Sequence, residues 1–162
     1  MPNEIGLRTS TSFASTTSGA SPSKAGQRVT NFDGNDYVFI QAGSAVAQFD
    51  ALIVNEQFQA FPMTTTNAAA QTTGATFIAV AAAAAASAEY FWGCIRGRHR
   101  VTVLTACNPN VALYTTATAG ALDDTVVSTT KVHGLTLSAT ASGTTAITAF
   151  LTFPVITSDQ LA

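Results

Sequence analysis

A chain of 162 residues, 47% of them hydrophobic, can build one packed core and is too short for two domains. Only 10% of the residues are charged, the net charge is −2 and the pI is about 5.5, so the basic footprint that displaces phosphate counterions is missing and nucleic acid is not an expected partner. About a third of the chain is Ala or Thr, which predicts a neutral, hydroxyl-rich surface poorly protected against association.

Residues Met1 to Arg8 carry no apolar stretch of signal-peptide length, and no window offers the run of about 20 apolar residues that spans a bilayer. A membrane is not an expected partner, and synthesis and folding in a cytoplasm are expected. Thr9 to Gln27 reads TSTSFASTTSGASPSKAGQ, with Phe13 as its one aromatic and no alternation of apolar and polar positions. Such a stretch buries too little surface to offset the entropy of ordering it. Residues 1–30 are therefore expected to form an extended arm, idle or ordered only on a neighbouring subunit, with Phe13 and Arg28 as its candidate contacts.

The β domain is expected over 31–162. Asn31 to Gly34 is a turn cluster, and Tyr37-Val38-Phe39-Ile40 is a β-branched and aromatic strand closed by Ala42-Gly43. Further strands are predicted at 49–54, 58–61, 76–80, 90–96, 100–105, 111–115, 125–127, 132–137 and 145–153, joined by Gly, Asn, Asp and Pro. The low-complexity segment Met63 to Gly74 reads as a surface loop of the length that often carries function. Ala81 to Ala88 has high helix propensity but is too short for a stable helix, so one helical turn is expected there. In the last run Ile147, Ala149, Leu151 and Phe153 share one face and Thr148, Phe150 and Thr152 the other, with Pro154 ending or edging the strand. Many short strands without amphipathic helices predict an all-β sandwich or small barrel.

Chemistry has little to work with. His99, His133, Cys94, Cys107 and scattered carboxylates form no convincing set, and the nucleophile-elbow, Walker, dinucleotide and zinc-protease signatures are absent from the sequence. The chain reads as a non-enzyme with no catalytic residues, cofactor or metal. The two thiols read as small buried hydrophobes in a reducing compartment. Asp123-Asp124 reads as a turn rather than a cation site.

Arg96, Arg98 and Arg100 hold three of the seven Lys and Arg residues and fall on one face if the segment is extended. They are either a charged strand edge that discourages aggregation or a docking stripe for a partner's carboxylates. Tyr90, Phe91 and Trp92 just before them are a carbohydrate-stacking platform or, more simply, a strand buried on both faces. The platform reading motivates an alternative function, a glycan- or receptor-binding β module.

Several short motifs occur in a telling order: Tyr37 to Ile40, Ala42-Gly43, Ala45-Val46-Ala47 leading to Asp50-Ala51, Tyr90 to Trp92 leading into Ile95-Arg96-Gly97. After them come Ala112 to Thr115, Ala119 to Leu122 and Gly134-Leu135. Over residues 31–156 this order resembles the head decoration, or capsid cement, proteins of tailed bacteriophages. The resemblance implies a compact β domain on the outside of the virion, bound to the major capsid protein. It also implies that the protein stabilises the shell as a homo-oligomer, a trimer or less often a dimer.

Overall fold

The computed structural model describes residues 23–70, 77–126 and 130–158. Ten strands and one short helix follow in chain order: β1 (Arg28–Thr30), β2 (Asp36–Ala42), β3 (Ala51–Val54), β4 (Gln59–Pro62), α1 (Thr65–Ala70), β5 (Phe77–Ala81), β6 (Tyr90–Val103), β7 (Leu113–Thr115), β8 (Leu122–Asp123), β9 (Thr130–Leu137) and β10 (Thr145–Ser158). The protein is nearly all β, and β2-β4-β3-β5-β6 close through β2–β6 pairing into a five-stranded barrel. A second circuit, β6-β10-β9-β7-β8, returns to β6 through Val103↔Leu122.

The barrel interior is filled by Val38, Ile40, Leu52, Val54, Phe91 and Ile95 together with Ala42, Ala60, Ala79 and Ala81. Five strands enclose little room, which is why alanines serve where a larger barrel would need bulk. A side chain at Gly93 would come within 2.8 Å of Ile40 Cδ1 and 2.9 Å of the Ala79 Cβ. The opposite faces of the same strands, with Phe39, Ile53, Val80, Trp92 and Cys94, pack against Val101, Leu113, Leu122, Leu137, Ala149 and Leu151 of the second circuit. Strands with both faces buried read as continuous apolar runs, and β3 and residues 91–95 do.

Two connections inside the barrel share one geometry. Gly43 to Asp50 links β2 to β3 and Ala82 to Glu89 links β5 to β6; they meet at an isolated antiparallel bridge, Val46↔Ala85. In the first, Ala47 N donates to Asp50 Oδ2 at 2.8 Å and Phe49 has φ 72°; in the second, Ala86 N donates to Glu89 Oε2 at 2.9 Å and Ala88 has φ 70°. Each anchors the other through Phe49 N to Ala81 O and Ala88 N to Ala42 O. The helical turn expected at 81–88 is therefore absent: eight alanine-rich residues carry too little helix stability to outweigh the six backbone hydrogen bonds that cross between the two connections and the strand ends beside them.

Other expectations also change. Within the predicted Met63 to Gly74 loop, Thr65–Ala70 is helical, Met63 and Ala68 are fully buried, and Asn67 ties the start down through mutual hydrogen bonds with Thr64; residues 71–76 lie outside the described residues. The strand expected at 125–127 is displaced to Leu122–Asp123, Thr125 and Val126 being non-strand and 127 outside the described residues. The two strands expected at 90–96 and 100–105 are one, β6. Strand β10 does not stop at Pro154: its register on β9 shifts between Leu151 and Val155, and the proline, which has no N–H to offer, sits in that bulge. The bulge puts Phe153 at φ 52° and leaves it half exposed, not on the core face with Leu151. Of the expected arm, Arg28–Thr30 pair with β2 and belong to the sheet; residues 1–22, including Phe13, lie outside the described residues.

Candidate docking surface

Beyond Ile95 one face of β6 opens to solvent. Asn35, almost fully buried, fixes this point: its Oδ1 accepts Arg98 N at 2.6 Å, and its Nδ2 donates to Arg98 O at 3.1 Å and to Asp33 Oδ2 at 2.8 Å. Gly97 has φ 104°, and a side chain there would run into Asn35 Oδ1, so glycine is required by both backbone and space.

From here β6 pairs with β10 as Arg96↔Thr152, Arg98↔Phe150 and Arg100↔Thr148. The three arginines do share one exposed face, but their roles differ. Arg96 pairs with Asp36 at 3.3 Å with 58% of its side chain exposed, a contact worth at most about 1 kcal/mol. Arg100 donates through Nε and Nη2 to Ala146 O at 3.1 and 2.7 Å and lies 4.9 Å from the Phe49 ring centroid, which fixes it as a packing residue. The Arg98 guanidinium has no hydrogen-bond or ion-pair partner among the described residues. Arg28, on β1, lines a cleft together with Asp36 and Phe153.

A shallow depression of about 360 Å³ beside Arg98 is lined by Asp33, Asn35, Tyr37, Phe49, His99 and Thr148. Two of its titratable groups, Tyr37 and His99, are shifted by burial toward their uncharged forms. Burial pushes the Tyr37 hydroxyl up to about 12 and lowers the His99 imidazole below its usual range. His99 is boxed by the rings of Tyr37 and Phe49 at 6.2 and 5.8 Å. Cys94 and Cys107 are unbridged and fully buried, and burial raises their thiols to about 12 and about 11, so neither is a ready thiolate.

Cys107 does gather with Asp123 and Asp124, their candidate ligand atoms all within 4.8 Å. These groups already serve one another: the thiol donates to Asp123 Oδ1 at 3.4 Å, and Asp124 Oδ2 accepts Asn108 N at 2.8 Å and Nδ2 at 3.0 Å. Those Asn108 bonds, the backbone one foremost, hold the Asp124 carboxyl below its usual range.

Sequence reasoning missed the apolar members of the face. Phe150, directly opposite Arg98, and Phe153 are each 51% exposed, and Val155 is 44% exposed. Phe150 had a readable signal, since it falls among threonines on the outer face of an alternating run; Phe153 had none, because a bulge shifts the alternation. The aromatics that suggested a carbohydrate platform are in the core: Phe91 and Trp92 are fully buried and Tyr90 stacks on Phe39 at 5.6 Å. The chain matches no protein-family model, no curated protein and no solved structure.

Proposed function

We propose that this protein is a capsid decoration protein of a tailed bacteriophage, seated on the outer surface of the major capsid protein lattice and stabilising the head as a homo-oligomer. The observation that carries this reading is that Arg98, whose guanidinium has no partner among the described residues, stands opposite exposed Phe150 on a two-strand face of a nearly all-β chain with few charges. An exposed aromatic beside an arginine is the composition of an interface hot spot. A carboxylate on the partner would complete the guanidinium fork, and repetition over a lattice would turn modest contacts into firm attachment.

The test is co-sedimentation with expanded shells of the cognate major capsid protein. Wild-type chain is expected to load at a fixed ratio, Arg98→Glu to bind at least tenfold more weakly, and salt to weaken the wild type as screening predicts. Failure of the wild type to load overturns the proposal, and salt-independent loading removes Arg98 from the interface.

A further inference from the structure

The two ends of the barrel are built differently. One end is covered by the crossed connections 43–50 and 82–89, which bring Val46 and Ala85 together over the interior. At the other end an apolar cavity of about 110 Å³ lies among Arg28, Phe77, Ile95, Phe153 and Val155, and a cleft beside it runs on to Thr30 and Asp36. Ile95 belongs to the barrel interior and Phe77 packs against it, so this cavity is the mouth of the barrel.

Three features of the mouth point out of the fold. The first is Phe153. Alternation alone would carry it to the core face with Leu151, but the bulge holds it at φ 52°, a region that residues with side chains rarely enter, and leaves its ring half exposed at the rim. The second is Arg28, whose guanidinium has no hydrogen-bond or ion-pair partner among the described residues, because the carboxylate beside it, Asp36, is taken by Arg96 and Thr30. The third is the outer edge of β1, the last strand on its side of the sheet. On the inner edge Gln27 O and Asn31 N engage Phe39 N and Asn35 O, so antiparallel alternation turns the amides and carbonyls of Arg28 and Thr30 outward.

An extended segment laid along that edge would satisfy those groups by strand addition. Arg28 and Thr30 stand opposite Val38 and Asp36 and so share the face of Val38, which lines the barrel interior. Side chains of an added strand recur on that face every second residue. One would enter the mouth and the next would stand beside Arg28. The cavity, smaller than the roughly 150 Å³ that accommodates benzene, fits an aliphatic side chain, and the guanidinium fits a carboxylate. Residues 1–22 do not carry an acid and an aliphatic residue at this spacing: their one acid, Glu4, has Pro2 and Gly6 two positions away.

We propose that the β1 edge and the barrel mouth form a docking site for an extended segment of another protein, added to β1 as a strand, with an aliphatic side chain in the mouth and a carboxylate two positions away on Arg28. The site is separate from the Arg98 face and does not rest on the decoration reading.

The probe is the synthetic peptide acetyl-TTDTLTT-amide, titrated into isotope-labelled full-length chain without shells and followed by NMR. Binding with a Kd of about 1 mM or tighter is expected, with slowed hydrogen exchange at the Arg28 and Thr30 amides. Asparagine in place of the peptide's aspartate, or Arg28→Gln in the protein, should each weaken binding at least about threefold, and both together no more than one alone. Alanine in place of the peptide's leucine should weaken it at least about tenfold. Arg98→Glu should leave peptide binding unchanged while weakening shell loading, so the two sites fail separately. Four results would each overturn the proposal. No response at β1 up to about 5 mM peptide removes the site, and equal binding of the aspartate and asparagine peptides removes the carboxylate. Arg28 and Thr30 amides already protected in the free monomer give the edge to the chain's own residues. Self-association of the wild type that is lost in Leu161→Ala gives it to a second copy, through the acid and aliphatic pair Asp159 and Leu161.

Discussion

The connections 43–50 and 82–89 trace the same path with different residues. Each ends in an acidic side chain that caps an amide three residues earlier, and each has a non-glycine residue at positive φ just before that acid. In the first, the acid is Asp50, largely buried, and the residue at positive φ is Phe49, which packs on His99 and Arg100. In the second, the acid is Glu89, less buried, and the residue at positive φ is Ala88, which is exposed. The shared backbone is therefore supported by side-chain packing on one side and mostly by crossed backbone hydrogen bonds on the other.

The largest effect is expected at Gly120, whose φ is 75° and whose added side chain would strike the Asp50 carboxylate. Gly120→Ala should cost about 2–4 kcal/mol in urea unfolding, through left-handed strain plus displacement of the cap. Asp50→Ala should cost about 1–3 kcal/mol, because Ala47 N loses its partner in a buried setting, whereas Glu89→Ala should cost about 0.5 kcal/mol. Equal losses for the two acids would mean that burial does not distinguish the loops.

Glycine separates the two positive-φ sites further. Ala88→Gly should stabilise the protein by up to about 1 kcal/mol by relieving backbone strain, while Phe49→Gly should destabilise it because the ring contacts are lost. The smallest effect is one of pH. Burial raises the Asp50 carboxyl above its usual 3.8, so in the window just above 3.8 the folded state binds more protons than the unfolded, and Asp50 makes stability fall as pH rises. His99, lowered by burial, acts oppositely: below 6.5 the unfolded state takes the proton first, and stability is lost as pH falls. Asp50→Asn should remove the first slope and His99→Gln the second, both read from unfolding free energies between pH 4 and pH 7.

Much of the barrel was legible because its strands are buried on both faces, so Tyr37 to Ile40, 51–54 and 90–95 stand out as apolar runs. The second loop was not, since alanine has high helix propensity and the competing hydrogen bonds come from residues some forty positions away, as Ala88 N to Ala42 O shows. On the docking face the arginine stripe was visible from alternation alone. That Arg96 is paired, Arg100 packed on Phe49 and only Arg98 left over depends on Asp36, Ala146 and Phe49, which no spacing within β6 reveals.

Because β6 carries pairings to β2, β5, β8 and β10, it cannot be completed until segments from both ends of the chain have arrived. Wall-forming pairs such as Val38↔Gly93 and Ile147↔Val101 close loops of roughly fifty residues, and pairing of that kind places folding toward the slow, millisecond-to-second end of the range. During that interval the chain exposes unpaired edges with few charges to keep copies apart. Yield on refolding is therefore expected to fall steeply with protein concentration, a kinetic cost of threading two closed circuits through one shared strand.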